Sequence, residues 1–230
     1  MSDPQAAVEV FRQAAEFNRQ SELLEGAVIK FPDYGQLVMT GDLHGHWRNF
    51  EKLRRFCDLG RAPVRHVVLH ELIHEEPASL AEPDLSHLML LAAAHWKCDF
   101  PDQVHFLQSN HELSQVTGHQ ITKGGRIVNQ DFERGVSETY GPDADAVLEA
   151  MLDFMSSYPL AGRTANRVFL SHSLPGSRTL SDFKASDLNR TLGPQDLANH
   201  GTAYALVWGR HQGAELLDAL AETLDVDLFV

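Results

Sequence analysis

The chain has 230 residues, of which 43% are hydrophobic and 22% are charged, and this composition excludes a largely disordered protein. There are 19 Lys and Arg residues against 32 Asp and Glu residues, so the formal net charge is −13, and we expect no nucleic-acid partner and no membrane association. The chain has only two cysteines, no apolar stretch of bilayer length and no signal-peptide pattern, and these features predict a cytoplasmic protein. Its length predicts that residues 1–230 form a single domain.

The hydrophobic pattern predicts helices and strands that alternate along the chain. In chain order, these are a helix over 3–18, strands over 27–31 and 36–40, a helix over 47–57, a short apolar run over 64–69, a mostly apolar helix over 85–96, a strand over 104–107, a helix over 143–158, a strand over 168–170, a helix over 214–224 and a strand over 226–230. This alternation predicts a layered α/β fold.

Four of the apolar runs lead directly into a cluster of polar residues. The clusters are 41–45 (GDLHG), 70–74 (HELIH), 109–112 (SNHE) and 171–173 (SHS). In layered α/β folds, ligands bind at the carboxyl ends of strands, where these clusters are expected to lie. Oxygen ligands mixed with imidazoles suit manganese, iron or zinc rather than a thiolate site. The clusters together therefore predict a metal site.

The first cluster has a local geometry suited to metal binding. Asp42 and His44 are two positions apart, so on an extended segment their side chains point the same way. Gly41 and Gly45 flank them, and glycine permits tight turns and close approach to a ligand. Asp42 and His44 are therefore the first candidate ligands.

The motifs in these clusters resemble those of the calcineurin-like metallophosphoesterases, and of their phosphoprotein phosphatase branch in particular. Residues 41–45 match that family's GDxHG, 109–112 (SNHE) resemble its GNHE, and 169–176 (FLSHSLPG) resemble its strand-then-histidine motif. Their order and spacing also match, from about residue 25 to the C-terminus. The resemblance implies a four-layer α/β/β/α sandwich with its metal centre at the carboxyl ends of strands.

The resemblance also implies a phosphoester hydrolase with two divalent metal ions, which share a water and stabilise the displacement at phosphorus. The implied metal ligands are Asp42 and His44 for the first ion, Asn110 and His172 for the second, and Glu71 as the bridge between them. A metal-bridged hydroxide is the expected nucleophile, and His111 is the expected general acid. Manganese is our first choice of metal, with iron or zinc as alternatives. The expected substrate is a phosphoester, either a small molecule or a phosphoprotein.

The segment after the run 64–69 departs from the family pattern. Residues 70–76 read HELIHEE where the family has GDxxDRG. His74 stands where the family has the aspartate that orients the general acid, and Glu75 stands where it has a phosphate-binding arginine. We expect Arg210 to compensate as a substrate-binding residue, and we expect the substrate or its charge to differ from that of a standard protein phosphatase.

The end of the sequence is a second departure. In the family, a strand like 226–230 leads into a Gly-His pair whose histidine completes the second metal site. We therefore expect either a domain that is incomplete at its C-terminus or a second site that lacks one ligand. Together with Glu75, this favours an alternative hypothesis, in which a degenerate family member binds metal or a phosphorylated ligand without turnover.

Residues 70–74 also match HExxH, which on a helix binds zinc through two histidines and uses the glutamate as the base of a peptidase. This alternative leaves Asp42, Asn110 and His172 without a role. The two interpretations differ in secondary structure. A helix through 64–76 is required by the peptidase, whereas a strand that ends near residue 70 is required by the phosphoesterase.

Overall fold

The computed structural model describes residues 3–76 and 82–230. Its helices are α1 (Pro4–Arg19), α2 (Trp47–Cys57), α3 (Ser86–Asp99), α4 (Asn110–Thr117), α5 (Val128–Tyr140), α6 (Ala144–Ser156), α7 (Pro194–Leu197), α8 (Thr202–Trp208) and α9 (Ala214–Leu224). Its strands are β1 (Leu24–Glu25), β2 (Val28–Lys30), β3 (Gln36–Met39), β4 (Arg65–Leu69), β5 (Val104–Phe106), β6 (Thr122–Lys123), β7 (Arg126–Ile127), β8 (Ala161–Arg163), β9 (Val168–Ser171) and β10 (Leu228–Phe229).

The strands that lead to the polar clusters lie in two sheets. A three-stranded parallel sheet has the order β3-β4-β5, so the carboxyl ends of its strands share one edge. A five-stranded mixed sheet has the order β1-β2-β8-β9-β10, with β9 antiparallel to β8 and parallel to β10. Three of the predicted clusters follow the strands of the first sheet, and the fourth begins at the end of β9.

Helix α1 illustrates how the sequence forms its elements. Asp3 caps the helix by accepting a hydrogen bond from the backbone N–H of Gln5 at 3.0 Å, and Pro4 occupies its first turn. Its buried residues recur at helical spacing and include Ala7 and Phe11, which pack in the same core as residues of α3 and α6. The predicted helix over 3–18 is thus confirmed.

Hydrophobic residues of the described chain form three cores. The largest contains Phe11, Met89 and Phe154 from helices together with Val67 and other residues of the three-stranded sheet. A second combines the five-stranded sheet with residues of α8 and α9. The third is small and brings Ile29 of the five-stranded sheet against Val68 of the three-stranded sheet. Both sheets are therefore covered on more than one side by apolar side chains.

The strands predicted over 27–31 and 36–40 form as β2 and β3, which belong to different sheets. Helices α4 and α8 and strand β8 were not predicted, since their short sequences lack a long periodic pattern. Within the described residues, no helix is both long and apolar enough to cross a bilayer.

The peptidase alternative is wrong because its helix is absent. Strand β4 ends at Leu69, and residues 70–76 have no regular secondary structure. His70 and His74 also face different partners, with His70 Nδ1 at 3.3 Å from His172 Nδ1 and His74 Nδ1 at 2.8 Å from His111 Nδ1. The two histidines of the HExxH match therefore do not converge on one zinc ion.

Candidate metal centre

The loop after β4 is tied by its backbone to the loop after β3. The N–H groups of Leu43 and His44 both donate to the carbonyl of Glu71, at 2.9 and 2.8 Å, and Gly45 N–H donates to the carbonyl of Leu72 at 2.9 Å. His44 and Glu71 have positive φ angles of 43° and 50°, which side-chain-bearing residues seldom adopt. These backbone bonds hold both residues in a strained conformation at the edge of the sheet.

The carboxylate of Glu71 lies at the middle of the centre, with a side chain that is only 4% exposed. Its Oε1 is 3.0 Å from His44 Nε2 and 3.5 Å from His111 Nε2. Its Oε2 is 3.2 Å from His172 Nδ1, and among the described residues it has no hydrogen-bond partner. One buried carboxylate thus faces imidazoles on two sides.

The ligand atoms around Glu71 form two groups, in each of which all atoms lie within 4.8 Å of one another. The first group contains His44, Glu71 and His111. The second group contains Asp42, His70, Glu71 and His172. Glu71 is the member that the two groups share, so it stands where a bridging carboxylate would be placed.

In the second group, the outer nitrogen of each imidazole is held by an acceptor. His70 Nε2–H donates to the carbonyl of Thr40 at 2.8 Å, and His172 Nε2–H donates to Asn110 Oδ1 at 2.6 Å. The two Nδ1 atoms, 3.3 Å apart, therefore both present lone pairs when the rings are neutral. Asp42 Oδ1 lies 3.7 Å from His70 Nδ1. Lone pairs that converge in this way repel one another, and a cation between them would relieve that repulsion.

In the first group, His44 Nδ1–H donates to the carbonyl of Ile73 at 2.9 Å, so its Nε2 faces Glu71. Burial disfavours a charged His44, but the hydrogen bond to Glu71, the bond to Ile73 and the charges of Glu71 and Glu112 outweigh burial and raise its pKa to about 9. Without a metal ion, a proton on Nε2 thus occupies the position between His44 and Glu71.

The donor set fits a divalent metal centre. Imidazoles whose outer N–H is held by a carbonyl or amide oxygen are typical of metal-ligating histidines. Oxygen and nitrogen donors without thiolate suit manganese, iron or zinc. The buried, unpartnered Oε2 of Glu71 and the converging Nδ1 atoms of the second group are unfavourable unless a positive charge lies beside them.

The structure brings five of the predicted site residues together but groups them differently from the expectation. Asp42 lies with His172 rather than with His44. Asn110 contacts His172 through its amide oxygen. His70 belongs to the centre although the phosphoesterase interpretation assigned it no role. The signal for His70 was its position directly after a strand, next to Glu71.

His111, the predicted general acid, also lies at the centre. It is buried at the start of α4, where Ser109 caps the helix. Burial is the main cause that lowers its pKa to about 3, and the neighbouring His74 and His44 lower it further, while the charge of Glu71 opposes them. The imidazole of His111 is therefore uncharged near neutral pH in the absence of a metal ion.

Arg210, the predicted substrate-binding residue, follows α8 and is held beside the loop that carries His172. Its Nη1 donates to the carbonyl of Gly209 at 2.8 Å. Ser173 Oγ donates to the same carbonyl at 2.6 Å. A Cβ on Gly176 would meet the Arg210 carbonyl oxygen at 2.1 Å, so the two loops are in close contact. The charge of Arg210 is near enough to contribute to the lowered pKa of His172, which burial mainly causes.

Glu75, for which the sequence resemblance implied an arginine, packs against Gly45 at the rim of the centre. A Cβ on Gly45 would lie 2.5 Å from the Glu75 side chain. Burial and the nearby carboxylates of Asp84 and Glu82 raise the pKa of Glu75. This part of the rim is therefore acidic, in contrast to the side that carries Arg210.

Comparisons with known proteins find similarity in three-dimensional structure. No protein-family model matches the chain, and no curated protein matches it in sequence. The structure is similar to a protein serine/threonine phosphatase from Saccharomyces cerevisiae with similarity to human phosphatase PP5. The TM-score is 0.71 and the identity 16%, over 99% of this chain and 70% of that one. It is also similar to a cold-active protein-tyrosine phosphatase of a psychrophilic Shewanella species, with a TM-score of 0.57 and 13% identity, over 93% of this chain and 68% of that one.

Sequence identities this low show the fold alone. The mixed α/β arrangement of the chain matches that of both phosphatases. Its cluster of Asp, Glu and His residues also fits a metal site of the metallophosphoesterase type. The chain therefore has the fold of these phosphatases, and its resemblance to the metallophosphoesterases is confirmed at that level.

Proposed function

We propose that the protein is a metal-dependent hydrolase of phosphoesters. The observation that carries this proposal is the position of Glu71, whose two carboxylate oxygens face two separate groups of imidazoles. A carboxylate shared by two metal ions requires this arrangement. The phosphatase fold supports the proposal, as does the position of three of the polar clusters at the carboxyl edge of the three-stranded sheet.

Two divalent ions would be held by the two groups of ligand atoms. His44 and Glu71 would contribute to one ion, while Asp42, His70, Glu71 and His172 would contribute to the other. Asn110 would position His172 and lie next to the second ion. When bound, such ions lower the pKa of water and stabilise charge on the phosphoryl oxygens. Manganese is the proposed metal, and iron or zinc would suit the same donors.

Arg210 would bind the phosphoryl group of the substrate. Its backbone is fixed against Gly176, and its charge lies on the side of the centre that carries His172. A guanidinium pairs well with phosphate oxygens because its N–H groups match their geometry. The acidic rim at Glu75 would disfavour substrates with a negative charge on that side.

The fold would be a four-layer α/β/β/α sandwich. The small core between Ile29 and Val68 supports contact between the two sheets, and the other two cores support helices on their outer faces. A crystal structure in which both sheets pack on one common layer of helices would contradict this arrangement.

The test is hydrolysis by the purified chain reconstituted with Mn²⁺. We expect release of phosphate from phosphoester substrates, and we expect Glu71→Gln to reduce turnover by at least about a hundredfold, the usual scale for such electrostatic groups. The matched control is Glu138→Gln on the exposed side of α5, which removes the same charge far from the centre. Turnover that is equal in the wild type and Glu71→Gln would reject the proposal.

The non-catalytic alternative is favoured by Glu75, which places a carboxylate where a phosphate-binding arginine is expected. It predicts that Mn²⁺ binds and that Glu71→Gln abolishes this binding, while no phosphoester is hydrolysed. Elemental mass spectrometry of the reconstituted chain, run beside the hydrolysis assay, separates this alternative from a chain that binds no metal.

A further inference from the structure

A hydrogen-bonded chain of side chains, which we call the His111 relay, runs from the surface of α5 to the metal centre. Its members are Glu133, Gln115, His74 and His111. Gln115 Nε2 donates to Glu133 Oε1 at 3.1 Å. Gln115 Oε1 lies 2.9 Å from His74 Nε2, and His74 Nδ1 lies 2.8 Å from His111 Nδ1. Glu133 is exposed, whereas the other three members are buried.

The direction of each hydrogen bond in the relay follows from the carboxylate at its outer end. A carboxylate only accepts, so the amide nitrogen of Gln115 must point toward Glu133 and its oxygen toward His74. His74 Nε2–H therefore donates to Gln115 Oε1. The neutral ring of His74 then has a lone pair on Nδ1, and His111 Nδ1–H donates to it.

The relay leaves Nε2 of His111 as a lone pair directed into the centre. This nitrogen is 3.5 Å from Glu71 Oε1 and belongs to the same group of ligand atoms as His44 Nε2. The outer nitrogen of His44 is likewise held as N–H, by the carbonyl of Ile73. His111 thus shares with His44 an outer N–H held by the protein and an inner Nε2 that faces Glu71. In the metal-free protein this inner nitrogen carries a proton on His44, whereas on His111 it presents a lone pair.

We propose that His111 is a metal ligand through Nε2, and that Glu133, Gln115 and His74 are positioning residues that hold its ligating tautomer; this inference rests on the proposed metal-dependent function. A proton donor needs a proton on Nε2 in addition to the one on Nδ1. The relay places an imidazole, that of His74, at His111 Nδ1, where a carboxylate would be needed to stabilise that second proton. His111 therefore completes the first ligand group.

This role has a consequence for the class of substrate. When the bond from phosphorus to the leaving oxygen breaks, that oxygen keeps the electron pair and takes its proton from solvent rather than from His111. The oxygen of a water forms the new bond to phosphorus, and that water releases one proton to solvent. Leaving groups that are stable as anions depart readily without a proton, so the favoured substrates are aryl phosphoesters rather than alkyl ones.

Metal binding tests the ligand role directly, with Mn²⁺ as the probe. We expect calorimetric titration of the metal-free protein to show two ions per chain. In His111→Ala, we expect one of them to bind at least tenfold more weakly. His95→Ala, at an exposed position on α3, is the matched control and should bind both ions as the wild type does. Two ions of unchanged affinity in His111→Ala would overturn the proposal.

A spectroscopic signature separates ligation from a structural effect. In the Co²⁺-loaded protein, each ligating imidazole with a protected outer N–H gives a strongly shifted exchangeable proton signal. We expect His111→Ala to remove one such signal and to leave those of His44, His70 and His172 in place. Retention of every signal in His111→Ala would contradict ligation by His111.

The relay is tested at its exposed end, where substitution leaves the core intact. Glu133→Gln keeps an acceptor oxygen for Gln115, whereas Glu133→Leu removes it. We expect Glu133→Leu and Gln115→Leu to weaken the binding of one Mn²⁺ ion by roughly tenfold to a hundredfold, as loss of an outer partner of a ligating histidine does. Glu133→Gln should weaken it less, since its amide oxygen can still accept from Gln115 although it no longer fixes the direction of that bond. Mn²⁺ affinity equal to that of the wild type in both Glu133→Leu and Gln115→Leu would reject the positioning role.

Hydrolysis distinguishes failure of this inference from failure of the proposed function. If His111 is a ligand, turnover depends steeply on the acidity of the leaving group in the wild type already. If His111 donates a proton, only His111→Ala shows that steep dependence, and the proposed function survives while ligation is rejected. If no substrate is hydrolysed but the Mn²⁺ and Co²⁺ results are as expected, ligation stands and the proposed activity is rejected.

Discussion

The carboxylate of Glu112 accepts a hydrogen bond at 2.7 Å from the backbone N–H of Leu72, although the two residues are 40 positions apart in the chain. Glu112 also bonds with Ser109, the N-cap of α4. Because Leu72 directly follows Glu71, this buried contact ties the loop that carries Glu71 to the helix that begins with Asn110 and His111. One side chain thus holds two of the polar clusters at a fixed separation.

The first prediction concerns this contact. Glu112→Leu leaves the buried N–H of Leu72 without an acceptor, and we expect it to reduce the free energy of unfolding by about 1–3 kcal/mol. Glu112→Gln keeps an acceptor oxygen for Leu72, so its free energy of unfolding should fall clearly less. Urea denaturation of the metal-free proteins measures both changes, and equal losses in the two variants would contradict the role given to the Leu72 bond.

The second prediction concerns pH. Burial, followed by the charge of Glu71, raises the pKa of Glu112 from 4.5 to about 7 in the folded protein. The folded state therefore binds a proton that the unfolded state has released between these two values, so this group's contribution to stability falls as pH rises from 4.5 to 7. We expect the metal-free wild type to lose stability relative to Glu112→Gln over that interval. A pH-independent difference between the two proteins would contradict the shift.

The third prediction concerns proton release on metal binding. In the metal-free protein, His44 is protonated below its pKa of about 9 and donates to Glu71. A metal ion must displace this proton, so affinity should rise with pH up to about 9. Calorimetry of Mn²⁺ binding near neutral pH, in buffers of different ionisation enthalpy, should show release of about one proton from this site. A binding enthalpy that is the same in every buffer would argue against it.

The fourth prediction separates the two glycines that flank Asp42 and His44. Gly45 has φ 72°, and an added Cβ would lie 2.5 Å from the Glu75 side chain, whereas an added Cβ at Gly41 would meet nothing within 4 Å. We expect Gly45→Ala to cost roughly 1–2 kcal/mol in stability from the left-handed backbone alone, and to weaken Mn²⁺ binding by moving His44. Gly41→Ala is the matched control. Equal thermal stability of the two variants would show that the turn does not require glycine.

The fifth prediction concerns Arg210. If its guanidinium binds the phosphoryl group, Arg210→Ala should lower kcat/KM by roughly tenfold to a hundredfold, since hydrogen bonds to charged groups contribute about 1.5–3 kcal/mol. Metal content should remain unchanged, because Arg210 is not among the ligand atoms. Arg55→Ala, on the exposed side of α2, is the control. A fall in bound manganese in Arg210→Ala would instead indicate a structural role.

Much of the fold was predictable from local sequence pattern. The helices predicted over 47–57 and 214–224 have the same bounds as α2 and α9, because their apolar spacing and their ends are encoded within the helix itself. The strand ends near residues 40, 70 and 107 were predictable for the same reason. Since polar residues that directly follow buried strands collect at the carboxyl ends of those strands, the sequence alone determined which clusters would meet in a candidate metal site.

Tertiary structure alone decided how the side chains of those clusters are grouped. Asp42 faces His70 and His172 rather than His44, and His111 points Nε2 toward Glu71. These directions depend on positive φ angles in two loops and on hydrogen bonds from distant segments, none of which leaves a periodic signal in the sequence. The pattern of apolar residues specifies where an element runs, whereas the roles of the histidines follow from partners that only the packed chain brings within reach.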